Sequence, residues 1–354
     1  MDLDGFIVGA FCISDDALEG RPAGRLRTRG PTPILADSEV LTLEVVGEFL
    51  GLDQDVAIYG YFRRHYGHFC PALRCVHRTT FVRQAANLWA AQEWLWQSVL
   101  DQVPHDPTCA LVDSLPLPVC QFARARRCRR FRGEATFGKH FVIRQTFYGF
   151  RVHVRLCWPG LISRFVLAPA NVWEPAVVPE LAENTLGLLV GDRNYAAPRI
   201  AEELASQGVQ VLAPPRHKSR DPHPSWTLVL SHVRYRIDTV FGQLSERFHA
   251  KRVWARDSWH RWSRLLRKVL SHTLALLLNQ AAPARTAATG LPPQPVANLH
   301  IGLTSDGPSA DCADDAALAQ RCRCSRQLHV RACPAHDGDH TEAAGPVMVM
   351  MGTW

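Results

Sequence analysis

The stretch from Tyr148 to Ala168 constrains the fold of this chain more than any other. In Tyr148–Trp158, Phe150, Val152, Val154 and Leu156 alternate with Arg151, His153, Arg155 and Cys157, the period-2 pattern of a β-strand. Pro159-Gly160 is a turn signal, and Leu161–Ala168 reads as the returning strand of a hairpin. An isolated hairpin is marginal in water, so further strands and a covering layer are required.

The flanking sequence supplies both. Upstream, Cys109–Val112 reads as a short buried strand with Asp113 at its C-terminal tip and a proline-stiffened exit through Pro116 and Pro118. Downstream, Glu174–Asn184 suggests a helix with Pro175 in its first turn and Pro179 as an awkward interior residue. Leu186–Val190 is a strand ending at Gly191-Asp192, Pro198–Gln207 a helix, and Val209–Ala213 a last strand. Long helices fill about 228–279. Strands joined by helical crossovers should be parallel with right-handed connections. The expected class is therefore α/β, a mixed sheet flanked by helices.

Residues 1–107 read as an all-helical N-terminal region. One helix opens at Asp37-Ser38-Glu39, carries Val40, Leu41, Leu43, Val45, Val46 and Phe49 at helical spacing, and ends by Gly51. A second spans Asp53–His65 with Val56, Tyr59 and Phe62 inward, and a third about Thr79–Leu100 with Trp89, Trp94 and Trp96. Gly20–Pro33 is a Gly/Pro/Arg-rich loop or basic arm. Compact helices beside such an arm can contact DNA or simply pack a core. The α/β domain then covers 108–280, and a tail follows at 281–354. Four cysteines in that tail (Cys312, Cys322, Cys324, Cys333) lie near His329, His336 and His340. None of them has the CxxC spacing common in structural zinc sites, so a poorly ordered extension is expected. The eleven cysteines are an odd number, mostly isolated in apolar runs, which fits reduced cytosolic thiols. No apolar run approaches the ~20 residues of a membrane span.

The two acids after apolar strands carry the chemistry. On neighbouring strands about 4.8 Å apart, the tips holding Asp113 and Asp192 converge. Two carboxylates that close repel unless a cation lies between them. Oxygen-only ligation favours Mg²⁺ or Mn²⁺, and two such ions about 3.5–4 Å apart serve phosphodiester chemistry. Either Asp alone is equally compatible with the start of an ordinary loop. A third ligand is expected from Arg234–Phe248, whose apolar stripe is Ile237, Val240, Phe241, Leu244 and Phe248. At ~100° per residue, Asp238 borders that stripe, whereas Glu246 points away from it and is the reserve.

The net charge of +7 is concentrated in three runs. Arg124–Arg132 holds six arginines, with Arg126, Arg127, Arg129 and Arg130 at its centre; Pro215–Arg220 carries Lys218; and ten Lys or Arg lie between Arg234 and Lys268, including Lys251 and Arg252. Such residues neutralise phosphates and make binding steeply salt-dependent, although any one run is also compatible with a solvated face. Trp254, Trp259 and Trp262 could stack on exposed bases or pack between helices.

Ordered blocks carry a resemblance. VDSLPLPVC, YGFRVHV, VGDRNY and RYRIDTVFGQLSERF, flanked by LADSEVLTLEVVGEFLGLDQD and LLRKVLSHTLALLLN, resemble those of bacterial insertion-sequence transposases of the DDE type, over about residues 6–280. The resemblance implies an RNase H-like catalytic core with its first two acids at Asp113 and Asp192. The family's last acid, usually Glu in an R-x-x-x-E block, falls on Asp238 with Arg234 as the Arg. That Asp is one methylene, about 1.5 Å, shorter than the usual Glu. The resemblance further implies two Mg²⁺ or Mn²⁺ ions, metal-dependent cleavage at element ends and strand transfer into target DNA. Its partners would be double-stranded DNA (terminal inverted repeats and target) and a second copy in a homodimer, in a bacterial cytoplasm near the nucleoid and away from membranes. Two other readings remain open: a catalytically impaired, transposase-derived DNA-binding protein, and a structure-selective nuclease.

Overall fold

The computed structural model describes residues 1–21, 26, 31–140, 144–215 and 224–280. Most of the Gly20–Pro33 loop, Lys218 and the 281–354 tail lie outside the described residues.

Among the described residues, six strands form one mixed sheet: β1 (Asp106–Pro118), β2 (Thr136–His140), β3 (Gln145–Trp158), β4 (Leu161–Pro169), β5 (Gly187–Val190) and β6 (Val209–Leu212). Central β1 pairs antiparallel with β3 on one edge and parallel with β5 on the other, and β5 pairs parallel with β6. The outer edge of β3 takes β4 along Phe150–Cys157 and β2 along Gln145–Gly149, so β2 and β4 lie end to end. A helix over Pro198–Ser206 links the parallel strands β5 and β6, as their order predicts, while β2, β3 and β4 intervene between the parallel pair β1 and β5. This is an α/β, RNase H-like arrangement.

β1 is far longer than the four-residue strand expected from sequence. Its parallel pairing with β5 stops at Leu111↔Val190, and among the described residues Val112–Pro118 pair only with β3. Along that free edge a missing N–H is tolerated, which is why Pro116 and Pro118 do not end the strand. β2 has no counterpart in the sequence reading. It is short, and Gly138 interrupts its pattern because a Cβ there would stand 2.5 Å from the Ala170 carbonyl oxygen.

The helices are α1 (Leu3–Glu19), α2 (Asp37–Phe49), α3 (Asp55–His65), α4 (Arg78–Asn87), α5 (Trp89–Leu100), α6 (Val178–Leu181), α7 (Pro198–Ser206), α8 (Pro224–Glu246) and α9 (Ser258–Gln280). Three expectations are corrected. The helix expected over 79–100 breaks at Leu88, which turns Trp89 edge-on to Trp259 and Trp262 near the start of α9. α3 begins at Asp55 because Asp53 is held outside it by His249 and Lys268; Val56 is then 45% exposed and Ile58 is buried instead. The helix expected over 174–184 is a 3₁₀ turn, Glu174–Val177, running into the single-turn α6. Pro179 is thereby at a helix start, where its missing N–H costs nothing.

Both faces of the sheet are covered. Leu111, Leu115, Leu117, Val152, Val154 and Leu156 join a core shared with the N-terminal helices, α8 and α9. Ala110, Val112, Cys157, Val166 and Ala168 pack beneath α6 and α7. The polar positions of the hairpin are therefore buried as well, at 6% exposure for Arg151, 0% for His153 and 8% for Arg155. Arg155 Nη1 donates to the Leu181 and Glu183 carbonyls at 2.8 and 2.9 Å, capping the end of α6. Among the described residues, no hydrogen-bond partner reaches either ring nitrogen of His153.

Burial pushes the His153 pKa down to about 3, and Arg151 adds to the fall. The unfolded chain protonates this histidine near its ordinary ~6.5, so stability is lost as pH falls from about 6.5 towards 3. His153→Leu removes that loss. The stability gap between variant and wild type should widen on acidification by about 1.4 kcal/mol per pH unit across that window. Urea titrations at several pH values would measure it, and parallel stability curves would contradict it.

Among the described residues, no helix is long and apolar enough to cross a membrane.

Candidate active site

The parallel register places the two strand acids. Leu111 of β1 stands opposite Val190 of β5 at the end of their pairing. Two residues further along each chain come Asp113 and Asp192. Contrary to the sequence reading, Asp113 is not at a strand tip; it lies inside β1, opposite Val154 of β3, where the β5 edge has just fallen away. After β5 the chain turns tightly, and Gly191 is required there because a Cβ would meet the Tyr195 Cβ at 2.7 Å. Asp192 caps the following 3₁₀ turn, accepting from Asn194 N at 2.8 Å and Asn194 Nδ2 at 3.3 Å.

Asp113 Oδ1 accepts from its neighbour Ser114 N at 2.7 Å, and Oδ2 accepts from Arg234 Nη2 at 3.0 Å. Burial pushes the Asp113 carboxyl up to about 6. Arg234 and the Ser114 N–H pull it down, and the charge of Asp192 adds to the rise. The charge of Asp192 is thus felt at Asp113 across the end of the sheet.

Arg234 comes from α8, which crosses β1. Asp238 follows one helical turn later on α8 and is exposed; partial loss of water raises its carboxyl more than Arg234 lowers it. Glu246, the reserve, ends α8 and is exposed. Among the described residues, no three His, Cys, Asp or Glu side chains gather around one point. Asp192 is near enough to Asp113 for its charge to be felt there, while Asp238 lies one helical turn beyond the Arg234 that holds Asp113. The donors available are carboxylate oxygens, a set that suits Mg²⁺ or Mn²⁺. In the structure described, the cation on Asp113 is the Arg234 guanidinium.

A second polar layer on the opposite face of β1 was not anticipated. Ser114 Oγ donates to Glu174 Oε1 at 3.0 Å, and Arg151 Nη1 donates to that oxygen at 2.9 Å and to Ser114 Oγ at 3.0 Å. The Tyr195 hydroxyl is buried with no hydrogen-bond partner among the described residues, and burial raises its pKa well above the usual value, with Asp113, Glu174 and Asp192 adding to the rise. The one available signal was charge inside apolar runs, Arg151 in its strand and Glu174 after Trp173.

The basic runs divide. Arg124, Arg126, Arg127, Arg129, Arg130 and Arg132 are all exposed, on an excursion anchored by Ala125 and Phe131 against Tyr148, Phe150 and Ala255. Lys251 and Arg252 are exposed in the turn Ala250–Arg252 just before that anchor. By contrast, three members of the Arg234–Lys268 run cannot reach phosphate: Arg261, Arg267 and Lys268 are 1%, 3% and 2% exposed. Arg261 Nη2 donates to the Leu117 carbonyl at 3.0 Å, and the other two pair with acids of the N-terminal helices. Of the three tryptophans, Trp259 and Trp262 pack against Trp89 at 6.3 and 6.1 Å, while Trp254 is 59% exposed.

Residues 105–255 match the family model of a transposase DDE domain. The matched segment runs from the start of β1 past α8 and contains Asp113, Asp192 and Asp238. No curated protein matches the chain.

Proposed function

We propose, from a transposase DDE domain over residues 105–255, that this chain cuts DNA at the ends of a mobile element and joins the freed 3′ hydroxyl to target DNA. The observation that carries this reading is the pair Asp113 and Asp192, in equivalent register beyond the last β1–β5 pairing. These two acids would hold two Mg²⁺ or Mn²⁺ ions, with Asp238 completing the set. Ions so placed supply an activated water or 3′ hydroxyl and stabilisation of the leaving oxygen. Arg234 keeps the desolvated Asp113 ionised, and Asn194 orients both oxygens of Asp192. Arg126, Arg127, Arg129, Arg130, Lys251 and Arg252 would bind phosphates, joined by Arg234 near the acids and by Lys218. The DNA would be double-stranded, in terminal inverted repeats and target. Synapsis of two ends implies a homodimer, and the setting would be a bacterial cytoplasm at the nucleoid.

The test is incubation of the full chain with DNA carrying the repeats that flank its gene, in Mg²⁺ or Mn²⁺. Cleaved 3′ ends and joined products are expected. Cleavage without joining would indicate a structure-selective nuclease instead. The impaired, DNA-binding reading is favoured by one observation, the exposure of Asp238; it predicts salt-sensitive binding without cleavage. Asp238→Glu separates the two. The longer side chain restores the reach of the usual Glu, and we expect the rate of end cleavage to rise roughly 10-fold, the scale on which changes around metal ligands act. A fall in rate would mean that the site is built around the shorter acid.

A further inference from the structure

A notch on the arginine-rich excursion has no role in the site described above. Phe122, Ala123, Ala125, Arg126 and Phe137 line a cavity of about 390 Å³. Phe122 and Phe137 are 57% and 46% exposed, a large apolar exposure for two rings on a charged surface. Their centroids lie 6.3 Å apart with the planes near perpendicular at 80°. Phe137 is steadied from behind by Tyr148 at 5.1 Å. The surrounding stretch Cys120–Arg132 contains six arginines and no acid.

We infer that this notch takes an unstacked nucleobase, extruded from the DNA strand whose phosphates the arginines hold. The inference rests on the proposed DNA-binding reading and adds to it the state of the strand that is bound. Shape and charge together select this occupant. The cavity is at the small end of the ~300–1,000 Å³ range of small-molecule sites, so it admits a planar heterocycle rather than a helix. Exposed aromatic faces interleaved with arginine form a stacking platform on which any base can lie, and Arg126 supplies a cation beside it. An uncharged or basic protein surface would meet six exposed guanidinium groups here; a strand of DNA brings its own phosphates.

The test compares binding of the full chain to a thymidine oligonucleotide and to an abasic oligonucleotide of equal length, which carries the same phosphates. Wild type should favour the base-bearing strand by roughly 5- to 150-fold, the equivalent of ~1–3 kcal/mol for one stacked base. Phe122→Ala and Phe137→Ala should bring that ratio towards one. Phe122→Leu, which keeps apolar bulk without the ring and guards against misfolding, should do the same. Arg126→Ala should weaken binding to both strands. A wild-type ratio near one, or a ratio preserved in Phe122→Leu, overturns the inference. So does conversion of a dimer to a monomer by Phe122→Ala, which would make the notch a contact between copies. Salt-sensitive duplex binding with a ratio of one removes the base site alone. Failure of wild type to bind any of these DNAs removes the DNA reading beneath it.

Discussion

Asp113→Asn should reduce metal-dependent end cleavage by at least ~10²–10³-fold, the scale of removing one group from a preorganised electrostatic site, while leaving the protein folded. The amide keeps the size of the carboxylate and can still accept from Ser114 N, which now meets Oδ1 at 2.7 Å. It cannot provide the negative charge that a divalent cation requires. Stability should not fall with activity, because burial opposes the ionised form of Asp113 and a neutral amide escapes that cost. Arg234 would lose its ion partner, but its side chain is 25% exposed and retains access to water. End cleavage measured beside a thermal melt separates the two effects. Full activity in Asp113→Asn would contradict the assignment; lost activity with a collapsed melt would point to a structural role.

Arg267→Met should destabilise the whole fold by about 3–5 kcal/mol, the range for removing one partner of a buried ion pair. Against a typical total of ~5–15 kcal/mol, that is a large fraction. Arg267 Nε donates to Glu48 Oε1 at 2.7 Å, and Nη1 donates to Glu44 Oε1 at 2.7 Å and Asp55 Oδ1 at 2.6 Å. Lys268 Nζ reaches Glu48 Oε2 at 2.6 Å, and Gln92 Nε2 reaches Glu44 Oε2 at 2.6 Å. Burial works against the Asp55 carboxylate, yet Arg267, Arg264 and its own hydrogen bonds together outweigh burial and hold Asp55 below its ordinary range. Glu44 is the acid left short of charge; burial raises it to about 7, with Arg267 opposing and Asp55 adding to the rise. Without Arg267 these carboxylates would share too little positive charge in a dry interior. Glu44→Gln and Glu48→Gln added to Arg267→Met should recover part of the loss, since neutral groups escape that penalty. Urea unfolding measures both steps, and a loss below ~1 kcal/mol for the single variant would show that water or relaxation takes the place of Arg267.

The same network shows where sequence reading stops. Arg267 and Lys268 look like phosphate ligands because the acids that neutralise them lie more than 200 residues earlier in the chain, on α2 and the start of α3. Glu44 and Glu48, on which the sequence gives no local signal of burial, are 2% and 0% exposed. The Arg124–Arg132 run is legible as an exposed surface because no acid lies within it. The hairpin and the parallel crossovers were readable from period-2 alternation and from helices set between apolar strands, both local signals. That Asp113 and Asp192 lie near one another was readable only on the condition that their strands are neighbours, which the β1–β5 pairing meets. The extent of β1 was not readable, because prolines usually end a strand and only the absence of a β5 partner makes them harmless here. A helical wheel put Asp238 at the border of the buried stripe, but it cannot show that Arg234, one turn earlier, takes the place beside Asp113.

Whether Asp113 and Asp192 hold a divalent cation can be measured on the protein itself. Fe²⁺ with ascorbate and peroxide cuts a polypeptide beside the bound ion. The full chain should be cut next to residues 113 and 192, with a weaker cut near 238. Mg²⁺ or Mn²⁺ should suppress these cuts, and Asp113→Asn should abolish them. Cuts confined to other segments, or cuts at 113 and 192 that persist unchanged in Asp113→Asn, would contradict a metal site built on these two strand acids.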